Sequence, residues 1–391
     1  MKEGWTYKKL GEVGEVIGGT TPSTTNPDFW NGDLCWISPA ELHGEHYLFD
    51  SVKKITKEAV AAKSLKELPI GTVILSSRAP IGKIAINKVP MYCNQGFKCI
   101  VCGKELYNEY LYWWLYGKKD YLNSLGTGAT FPEISKTVVE NIVIPIAPME
   151  EQRRIVSRLD AAFSHIDELK ANAEKQLSEA RALFQKSLAK AMEPKEGWKV
   201  KKLKEIGITQ TGTTPSKSDL SNYGDFIPFI RPSEIDCDGC GSIDYNSEIK
   251  LSEKGLKNGR LFKKQSILMV CIGATIGKVG YCTQNVSCNQ QINVLTPIKD
   301  NYKFIYYAMR NKDFNDKVIK GGTSAQATLP IINKGKWEAM TISLPSLSEQ
   351  QRIVERLDAL SAHVRELEEN QKKIISECDA LKQALLRKVF E

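Results

Sequence analysis

The sequence lacks an apolar run long enough to cross a bilayer. Its longest apolar stretches, residues 138–149 and 266–277, contain polar side chains and fall short of the roughly 20 residues that a spanning helix requires. No apolar signal-peptide core follows Met1, so we expect a cytoplasmic protein whose ten cysteines are reduced, buried thiols. Two CxxC pairs, Cys99–Cys102 and Cys237–Cys240, occupy non-equivalent places, which argues against a shared zinc site.

Catalytic motifs are also missing. The segments RAPIGKIA and GATIGKV have the wrong glycine spacing for a phosphate-binding loop, and Lys83 and Lys278 are not followed by Ser or Thr. These segments are therefore predicted to be hairpin turns. NPDF, from Asn26, has Asp28 where an amino-methyltransferase signature has a second proline, so it is predicted to be a loop. Of the four histidines, His43 and His46 have no repeat partner and no metal-spaced companions. His165 and His363 are equivalent positions on the two predicted long helices, where surface or seam-flanking groups are expected.

Proline and glycine are absent between Met149 and Met192, which permits one uninterrupted helix. Glu150 and Glu151 lie in its first turn, where the helix dipole favours negative charge. Apolar residues recur in alternating steps of four and three, the spacing of a coiled-coil seam. The predicted seam residues are Ile155, Leu159, Ala162, Ile166, Leu169, Ala173 and Ala180.

A second long helix is predicted from Pro345 to the C-terminus, with polar Gln371 in the middle of its seam. Because a solitary amphipathic rod is not stable in water, the two helices are expected to pair antiparallel. The predicted seam of the second helix contains Ile353, Leu357, Leu360, Val364, Leu367, Ile374, Cys378, Leu381 and Leu385.

The chain is an internal repeat. EGWTYKKLGEVG at Glu3 recurs as EGWKVKKLKEIG at Glu196, 193 residues later, and GTTPS recurs at the same offset. The IGK and NQ segments recur 195 residues later, and EEQRRIVSRLDA and SEQQRIVERLDA open the two long helices. Two homologous halves therefore account for the chain, each with a globular domain large enough to form its own core.

The predicted fold class is α+β, with two homologous α/β domains separated by two long antiparallel coiled-coil helices in a pseudo-two-fold repeat. The predicted boundaries are 1–147 for domain 1, 148–193 for the first long helix, 194–345 for domain 2 and 346–391 for the second long helix. Within each domain, an aromatic segment (EYLYWWLYGKKDYLNSL or KFIYYAMRNKDFNDKVI) is predicted to be a helix, and NIVIPIAP or AMTISLPS a final strand.

Taken together, these motifs resemble the specificity (S) subunit of Type I restriction–modification enzymes over the full length. The resemblance rests on GWxxxKLxE(V/I)G with GxTPS, the IGK hairpin, the NQ segment, the TxPxI loop and EQxRIVxRLD, each present in both halves in this order. It implies two target-recognition domains, each of which reads one part of a split site in double-stranded DNA. It also implies that the helices set the spacing and dock two methyltransferase (M) subunits, which carry S-adenosylmethionine and methylate adenine; a restriction/translocase (R) subunit can join. No cofactor, metal or catalytic residue is expected in this chain.

The net charge of +8, from 54 Lys and Arg against 46 Asp and Glu, is compatible with a polyanionic partner. Basic groups can bind phosphate or guanine, and Asn or Gln can pair with adenine edges. Structural turns and hydrogen-bonding pairs are the alternative interpretation for several of these residues. The candidate DNA contacts are Thr21, Ser23, Lys53, Lys54, Arg78, Lys83, Asn94, Gln95, Thr130 and Lys136 in the first half, and Thr214, Ser216, Arg231, Arg260, Lys263, Lys264, Lys278, Asn289, Gln290, Thr328 and Lys334 in the second.

Identical polar residues off the predicted seam open both helices, which suggests a surface for a partner bound twice. The alternative is a solvated face with i,i+4 pairs. The candidate partner contacts are Glu151, Gln152, Arg154, Arg158, Asp160, Glu349, Gln350, Arg352, Arg356 and Asp358. The other functions considered are a coiled-coil scaffold whose two domains bind proteins or glycans, and an independent enzyme, for which no motif is found.

Overall fold

The duplicated halves of the sequence fold into matching series of strands and helices. The computed structural model describes residues 4–78, 80–128, 132–236, 241, 243–245, 249–322 and 330–391. The chain divides into unit 1, Met1–Asn172 with Ile374–Glu391, and unit 2, Ala173–Lys373. Each unit combines one globular domain with a segment of both long helices. None of the described helices is long and apolar enough to cross a membrane.

Unit 1 contains ten strands and parts of both long helices within the described residues. In chain order its elements are β1 (Thr6–Lys9), α1 (Leu10–Val13), β2 (Gly14–Gly18), a 3₁₀ helix (Pro27–Phe29), β3 (Trp30–Ile37), a 3₁₀ helix (Pro39–Glu41), β4 (Tyr47–Leu48), β5 (Lys53–Ile55), α2 (Lys57–Lys63), β6 (Val73–Ser76), β7 (Ile84–Asn87), β8 (Tyr92–Cys93), β9 (Phe97–Cys102), α3 (Asn108–Tyr116), α4 (Lys119–Ser124), α5 (Lys136–Glu140), β10 (Val143–Ile146) and α6 (Met149–Ala191), which continues into unit 2.

A five-stranded sheet, in the order β2-β9-β6-β7-β4, forms the centre of domain 1, beside a three-stranded sheet, β5-β3-β8, and a pair, β1-β10. Side chains alternate across the central sheet, as the two-residue period of a strand requires. Val73 and Leu75 join a core with α3 and α6, whereas Ile74 faces a second core with Ile37 and Leu68. Because both faces are covered, all four residues of β6 are buried, and the first three are apolar.

Unit 2 repeats this arrangement. Its elements after α6 are β11 (Lys199–Lys202), α7 (Leu203–Ile206), β12 (Gly207–Thr211), a 3₁₀ helix (Leu220–Asn222), β13 (Tyr223–Ile230), a 3₁₀ helix (Pro232–Glu234), β14 (Lys250–Leu251), α8 (Glu253–Asn258), β15 (Ile267–Val270), β16 (Val279–Tyr281), β17 (Ser287–Cys288), β18 (Ile292–Pro297), α9 (Tyr302–Arg310), α10 (Lys312–Gly322), α11 (Lys334–Glu338), β19 (Thr341–Leu344) and α12 (Leu347–Phe390), whose last part lies in unit 1. The sheets are β12-β18-β15-β16, β14-β13-β17 and β11-β19.

The two IGK segments are turns of antiparallel hairpins, as predicted. β6 pairs with β7, and β15 pairs with β16. Gly82 and Gly277 have φ values of +90° and +92°, a left-handed conformation that L side chains rarely adopt. The repeated glycine is therefore explained by turn geometry, and neither segment precedes a helix that could bind phosphate.

Each aromatic segment forms two helices, so the prediction of one helix was wrong. In domain 1 the break is at Gly117 and Lys118, between α3 and α4; in domain 2 it is at Asn311, between α9 and α10. Asn311 has an extended backbone with ψ of 138°, which stops α9. The break lets α10 leave the direction of α9 and cover the core with Phe314 and Val318.

The two long helices run antiparallel within each unit. In unit 1, Lys170 Nζ lies 2.8 Å from Asp379 Oδ1, and Lys382 contacts Asp167. Residues further along α6 therefore contact residues earlier in α12, which makes the two helices antiparallel. In unit 2, Gln371 Nε2 donates to Gln176 Oε1 at 2.9 Å and Arg181 Nε donates to Glu368 Oε1 at 2.7 Å, in the same sense.

The heptad prediction of the seam was wrong at three positions. Leu169, Ile374 and Leu381 are 56%, 38% and 48% exposed, whereas Phe163 and Leu386 are buried. An α-helix with 3.6 residues per turn drifts by about 20° per heptad, so a strict seven-residue pattern leaves the contact face. The remaining predicted seam residues are buried or half-buried.

The C-terminal turn of α12 completes the core of domain 1. Phe390 is 7% exposed and its ring centroid lies 5.2 Å from that of Tyr110, edge to face. We predict that Phe390→Ala lowers the free energy of unfolding by about 3–5 kcal/mol, because it leaves a cavity in this core. Leu381→Ala, on the exposed face of the same helix, is the control. Urea denaturation of both variants measures the difference; equal effects would contradict the assigned packing.

Candidate nucleic-acid interface

The two most conspicuous repeated motifs, GTTPS and NQ, pack against each other in domain 1. Thr20 N donates to Cys93 O at 2.8 Å, and a Cβ atom on Gly19 would overlap the carbonyl group of Asn94. Only glycine allows this close approach. The Thr21 hydroxyl then accepts from Asn94 Nδ2 at 2.7 Å and donates to Gln95 Oε1.

Domain 2 repeats this contact. Thr213 N donates to Cys288 O at 2.9 Å, and a Cβ atom on Gly212 would overlap the carbonyl group of Asn289. The Thr214 hydroxyl donates to Gln290 Oε1. GTTPS recurs 193 residues later and NQ recurs 195 residues later. Because the two motifs contact each other in both domains, their joint recurrence is explained by this contact.

These contacts lie where several strands of each domain end. In domain 1, β2, β3 and β6 end beside the turn that opens β9, and in domain 2, β12, β13 and β15 end beside the turn that opens β18. We call this region of each domain the loop edge; it comprises Thr21, Ser77, Arg78, Asn94–Lys98 and Glu133 in domain 1, and Thr211, Thr214, Cys271, Ile272, Asn289–Asn293 and Ile331 in domain 2.

The loop edge of domain 1 holds a buried lysine that sequence reasoning missed. Lys98 is 8% exposed, and its Nζ donates to Ser77 Oγ at 3.1 Å, Glu133 Oε1 at 3.1 Å and Gln95 O at 3.3 Å. The backbone of half-buried Arg78 forms an isolated antiparallel β-bridge with the backbone of Glu133. The two halves are identical at CNQ but then diverge, with GFK in the first half and QIN in the second, and this difference could have drawn attention to Lys98.

In domain 2 the corresponding groups are amides. Asn289 Nδ2 donates to Gln291 Oε1 at 2.9 Å, and Thr211 Oγ1 donates to Asn293 Oδ1 at 2.8 Å. Arg260, predicted to contact DNA, also reaches this region, because its Nη1 donates to Thr211 O at 2.7 Å. The side chains of Asn289, Gln291 and Asn293 therefore form a polar part of this loop edge, and Arg260 lies beside them.

Other predicted DNA contacts of domain 1 already have protein partners. Lys83 Nζ donates to the carbonyl oxygens of Pro39 and Leu42, at 3.1 and 2.6 Å, and so fastens a loop. Lys136 lies 3.5 Å from Glu140 along α5. Ser23 Oγ bonds to Thr25 Oγ1 at 2.9 Å.

Lys53 and Lys54 lie on β5, in the three-stranded sheet. Exposed Lys53 has its ammonium 5.9 Å from the ring centroid of Trp36. Lys54 is paired with Asp50, and the hydrogen bond from this lysine lowers the pKa of Asp50 to about 2. Neither contact involves a loop-edge residue.

In domain 2, Arg231 Nε donates to Glu234 Oε1 at 3.0 Å within a 3₁₀ turn, and Lys334 lies 2.9 Å from Glu338. Ser216 Oγ bonds to Ser218 Oγ at 2.8 Å. The remaining predicted contacts are Lys263 and Lys264, which are exposed, Lys278, which is half-buried in the hairpin, and Thr130 and Thr328, which lie outside the described residues.

The predicted partner contacts separate into buried and exposed groups. Gln152 is fully buried, where its Oε1 accepts from Tyr107 N and its Nε2 donates to Glu105 O and Ala147 O, each at 2.8 Å. Gln152 is therefore neither the exposed partner contact that was predicted nor a position on a solvated face. Both the oxygen and the nitrogen of this amide therefore form hydrogen bonds with backbone groups of domain 1.

Gln350 makes the equivalent contacts in unit 2. Its Oε1 accepts from Asn301 N at 2.9 Å, and its Nε2 donates to Asp300 Oδ1 and Pro345 O. Only 1% of its surface is exposed, so the same correction applies.

The aspartates also face their domains. Trp113 Nε1 donates to Asp160 Oδ1 at 2.8 Å. The Tyr307 hydroxyl donates to Asp358 Oδ1 at 2.8 Å, and burial together with this hydrogen bond raises the pKa of Tyr307.

The exposed members form one charged turn on each helix. Arg154 pairs with Glu151, and Arg352 lies 3.8 Å from Glu349. The exposed arginines are Arg154 and Arg158 on α6, and Arg352 and Arg356 on α12, with half-buried Glu151 and Glu349 beside them. Asp160 is also exposed, but it accepts a hydrogen bond from Trp113.

We predict that Gln152→Ala lowers the free energy of unfolding by about 1–3 kcal/mol. The substitution leaves the buried acceptor Ala147 O without a partner and removes two part-buried hydrogen bonds, to Tyr107 N and Glu105 O. Arg158→Ala, on the exposed side of the same helix, should change stability by no more than about 0.5 kcal/mol. Urea denaturation of both variants makes the comparison, and a neutral Gln152→Ala would contradict the assigned hydrogen bonds.

Comparison with known proteins assigns the chain to a family. The family model described as Type I restriction modification DNA specificity domain matches residues 2–179 and 195–377. The MjaIX specificity subunit of a Methanocaldococcus jannaschii Type I restriction enzyme is 30% identical over 98% of this chain and 92% of that protein. The EcoR124I/EcoR124II specificity subunit of Escherichia coli is 34% identical over 41% of each.

Solved structures show the same fold. A chain from a study of complex assembly and conformational transition in the type I R-M system matches with a TM-score of 0.81 at 22% identity, over 100% of this chain and 98% of that chain. The HsdS subunit of Thermoanaerobacter tengcongensis matches with a TM-score of 0.59 at 22% identity, over 100% and 97%. With two copies of the family's domain, each in one half of a repeated chain, this protein belongs to the Type I restriction–modification DNA specificity family.

Proposed function

We propose that this chain is the DNA-recognition subunit of a Type I methyltransferase and restriction complex. Each globular domain reads one part of a bipartite, asymmetric site in double-stranded DNA through its loop edge. The observation that carries the proposal is the duplicated loop edge, at which Thr21, Asn94 and Gln95 in one domain correspond to Thr214, Asn289 and Gln290 in the other. Hydroxyl and amide groups of this kind can contact phosphates and base edges.

Shared and different residues have different tasks in this proposal. Groups that recur in both domains, such as the Thr–Gln pair, hold the loop edge in shape or contact phosphates, which carry no sequence information. Residues that differ between the domains read different bases, so the two half-sites have different sequences. The long helices, which pair antiparallel in each unit, set the spacing of the half-sites.

The chemistry belongs to partners in this proposal. The chain itself is not an enzyme and carries no cofactor; S-adenosylmethionine is bound by two methyltransferase subunits, and a restriction/translocase subunit can join them. A structurally similar chain comes from a study of complex assembly in the type I R-M system, which is consistent with such partners. The charged turns with Arg158 and Arg356 form the surfaces that dock the methyltransferase subunits, one for each half of the repeat.

A coiled-coil scaffold with two protein- or glycan-binding domains is the competing function, and salt dependence separates the two. We predict that the complex of this chain with its methyltransferase subunits binds duplex DNA with an affinity that falls steeply with salt. Four phosphate contacts would lower the association constant roughly 100-fold between 50 and 200 mM salt. Fluorescence anisotropy with a labelled duplex measures this slope. Absence of DNA binding at low salt would favour the scaffold.

A second prediction concerns docking. Arg158→Glu or Arg356→Glu should each weaken binding of one methyltransferase subunit, because each substitution reverses a charge within an equivalent exposed turn. The double variant should lose both subunits. Lys186→Glu is the matched control, since Lys186 is also exposed on α6 but lies outside the repeated turn. Analytical ultracentrifugation of the co-expressed complexes gives the stoichiometry, and an intact complex with the double variant would contradict the docking surface.

A further inference from the structure

The loop edges of the two domains can be compared position by position, because the same backbone hydrogen bonds build both. Ser77 N donates to Gly96 O at 2.8 Å, and Cys271 N donates to Gln291 O at 2.8 Å. Ser77 O accepts from Ile134 N, and Cys271 O accepts from Ile332 N, both at 2.9 Å. Ser77 therefore corresponds to Cys271, and Gly96 corresponds to Gln291.

The neighbouring residues follow from these matches. The backbones of Arg78 and Glu133 form an isolated β-bridge, and the backbones of Ile272 and Ile331 form another, so these two pairs are equivalent. Lys98 lies opposite Leu75 as Asn293 lies opposite Met269, which makes Lys98 equivalent to Asn293. Among the loop-edge positions that differ between the domains, Arg78, Gly96, Lys98 and Glu133 correspond to Ile272, Gln291, Asn293 and Ile331.

The substitutions are coupled by space in domain 1. A Cβ atom on Gly96 would lie 3.1 Å from Arg78 Nε and 3.0 Å from Pro39 Cγ. Contacts this short are tighter than most real Cβ contacts, so the Arg78 side chain uses the space that Gly96 leaves. A long side chain at position 96 and an arginine at position 78 would compete for one volume.

In domain 2 the long side chain occurs at the position equivalent to Gly96, and a shorter one occurs at the position equivalent to Arg78. Gln291 fills the position of Gly96, and its amide is oriented by the hydrogen bond from Asn289 Nδ2. The arginine position is occupied by half-buried Ile272, whose bridge partner Ile331 is 49% exposed. In domain 2 an isoleucine pair, half-buried at Ile272 and exposed at Ile331, thus lies beside an oriented amide, where domain 1 has a cluster of charged side chains.

We infer that these positions determine which base pair each domain reads, on the basis of the proposed function. Domain 1 contacts a G·C pair, for which Arg78 can donate to guanine O6 and N7 in the major groove, with Glu133 facing the cytosine amino group. Domain 2 contacts an A·T pair, for which Gln291 can bond to adenine N6 and N7 and the Ile272–Ile331 pair packs against the thymine methyl group. Lys98 holds Glu133 in place and is a positioning residue.

The test is selection of DNA from a randomised bipartite library by the full complex of this chain with its methyltransferase subunits. We predict that the combined variant Arg78→Ile, Gly96→Gln and Glu133→Ile loses preference for one G·C pair in one half-site. The preference should fall roughly 5- to 150-fold, the range of one bidentate base contact. The other half-site and the spacing should stay unchanged.

The reciprocal change, Ile272→Arg, Gln291→Gly and Ile331→Glu, should alter the other half-site only. The single variant Arg78→Lys guards against misfolding, because it keeps the charge but loses the planar fork that fits guanine. It should relax the G·C preference while the thermal unfolding temperature and the salt slope remain those of the unmodified complex. Selection of the unmodified site by Arg78→Lys and by both folded triple variants would overturn the inference. If the unmodified complex itself selects no split site, the proposed function fails instead.

Discussion

One buried glutamine in each half attaches a globular domain to its long helix. Gln152 and Gln350 stand in the first turn of α6 and α12, and each uses both its carbonyl and its amino group inside the protein. Every buried polar group that lacks a partner costs free energy, so the domain and the helix can meet in only one arrangement. The loop edge depends on this attachment, because its strands are oriented by the same core that α6 covers in unit 1 and α12 covers in unit 2.

The interior of the helix pair contains polar contacts as well as apolar ones. In unit 2, Gln371 and Glu368 are 6% and 5% exposed, and they bond to Gln176 and Arg181. Any shift along the helices would leave these buried groups unpaired, whereas a uniform apolar seam would tolerate several registers. The register matters for the proposed function, in which the long helices set the spacing of the half-sites.

The sequence predicted the repeat, the α+β class, the antiparallel helices and the IGK hairpins, because these follow from periodicity and from glycine at fixed turn positions. It failed where tertiary contacts decide. Leu169 lies on the exposed face since the helix drifts from a strict heptad, and Gln152 is buried because a loop near Tyr107 needs its amide. Lys98 escaped notice because a lysine in an apolar strand gives no sign of the Glu133 that neutralises it. The environments of these residues can be recognised only from the folded structure.

The two domains share a scaffold but differ at the solvent-facing ends of their strands. That combination is suited to a protein that must present one backbone geometry to DNA twice and still read two sequences. The most direct test of the proposed DNA recognition is adenine-methylation mapping of host DNA with and without this chain. We expect a split, asymmetric methylated motif that disappears when the chain is deleted and returns when it is restored. An unchanged methylation pattern after deletion would contradict the proposed function.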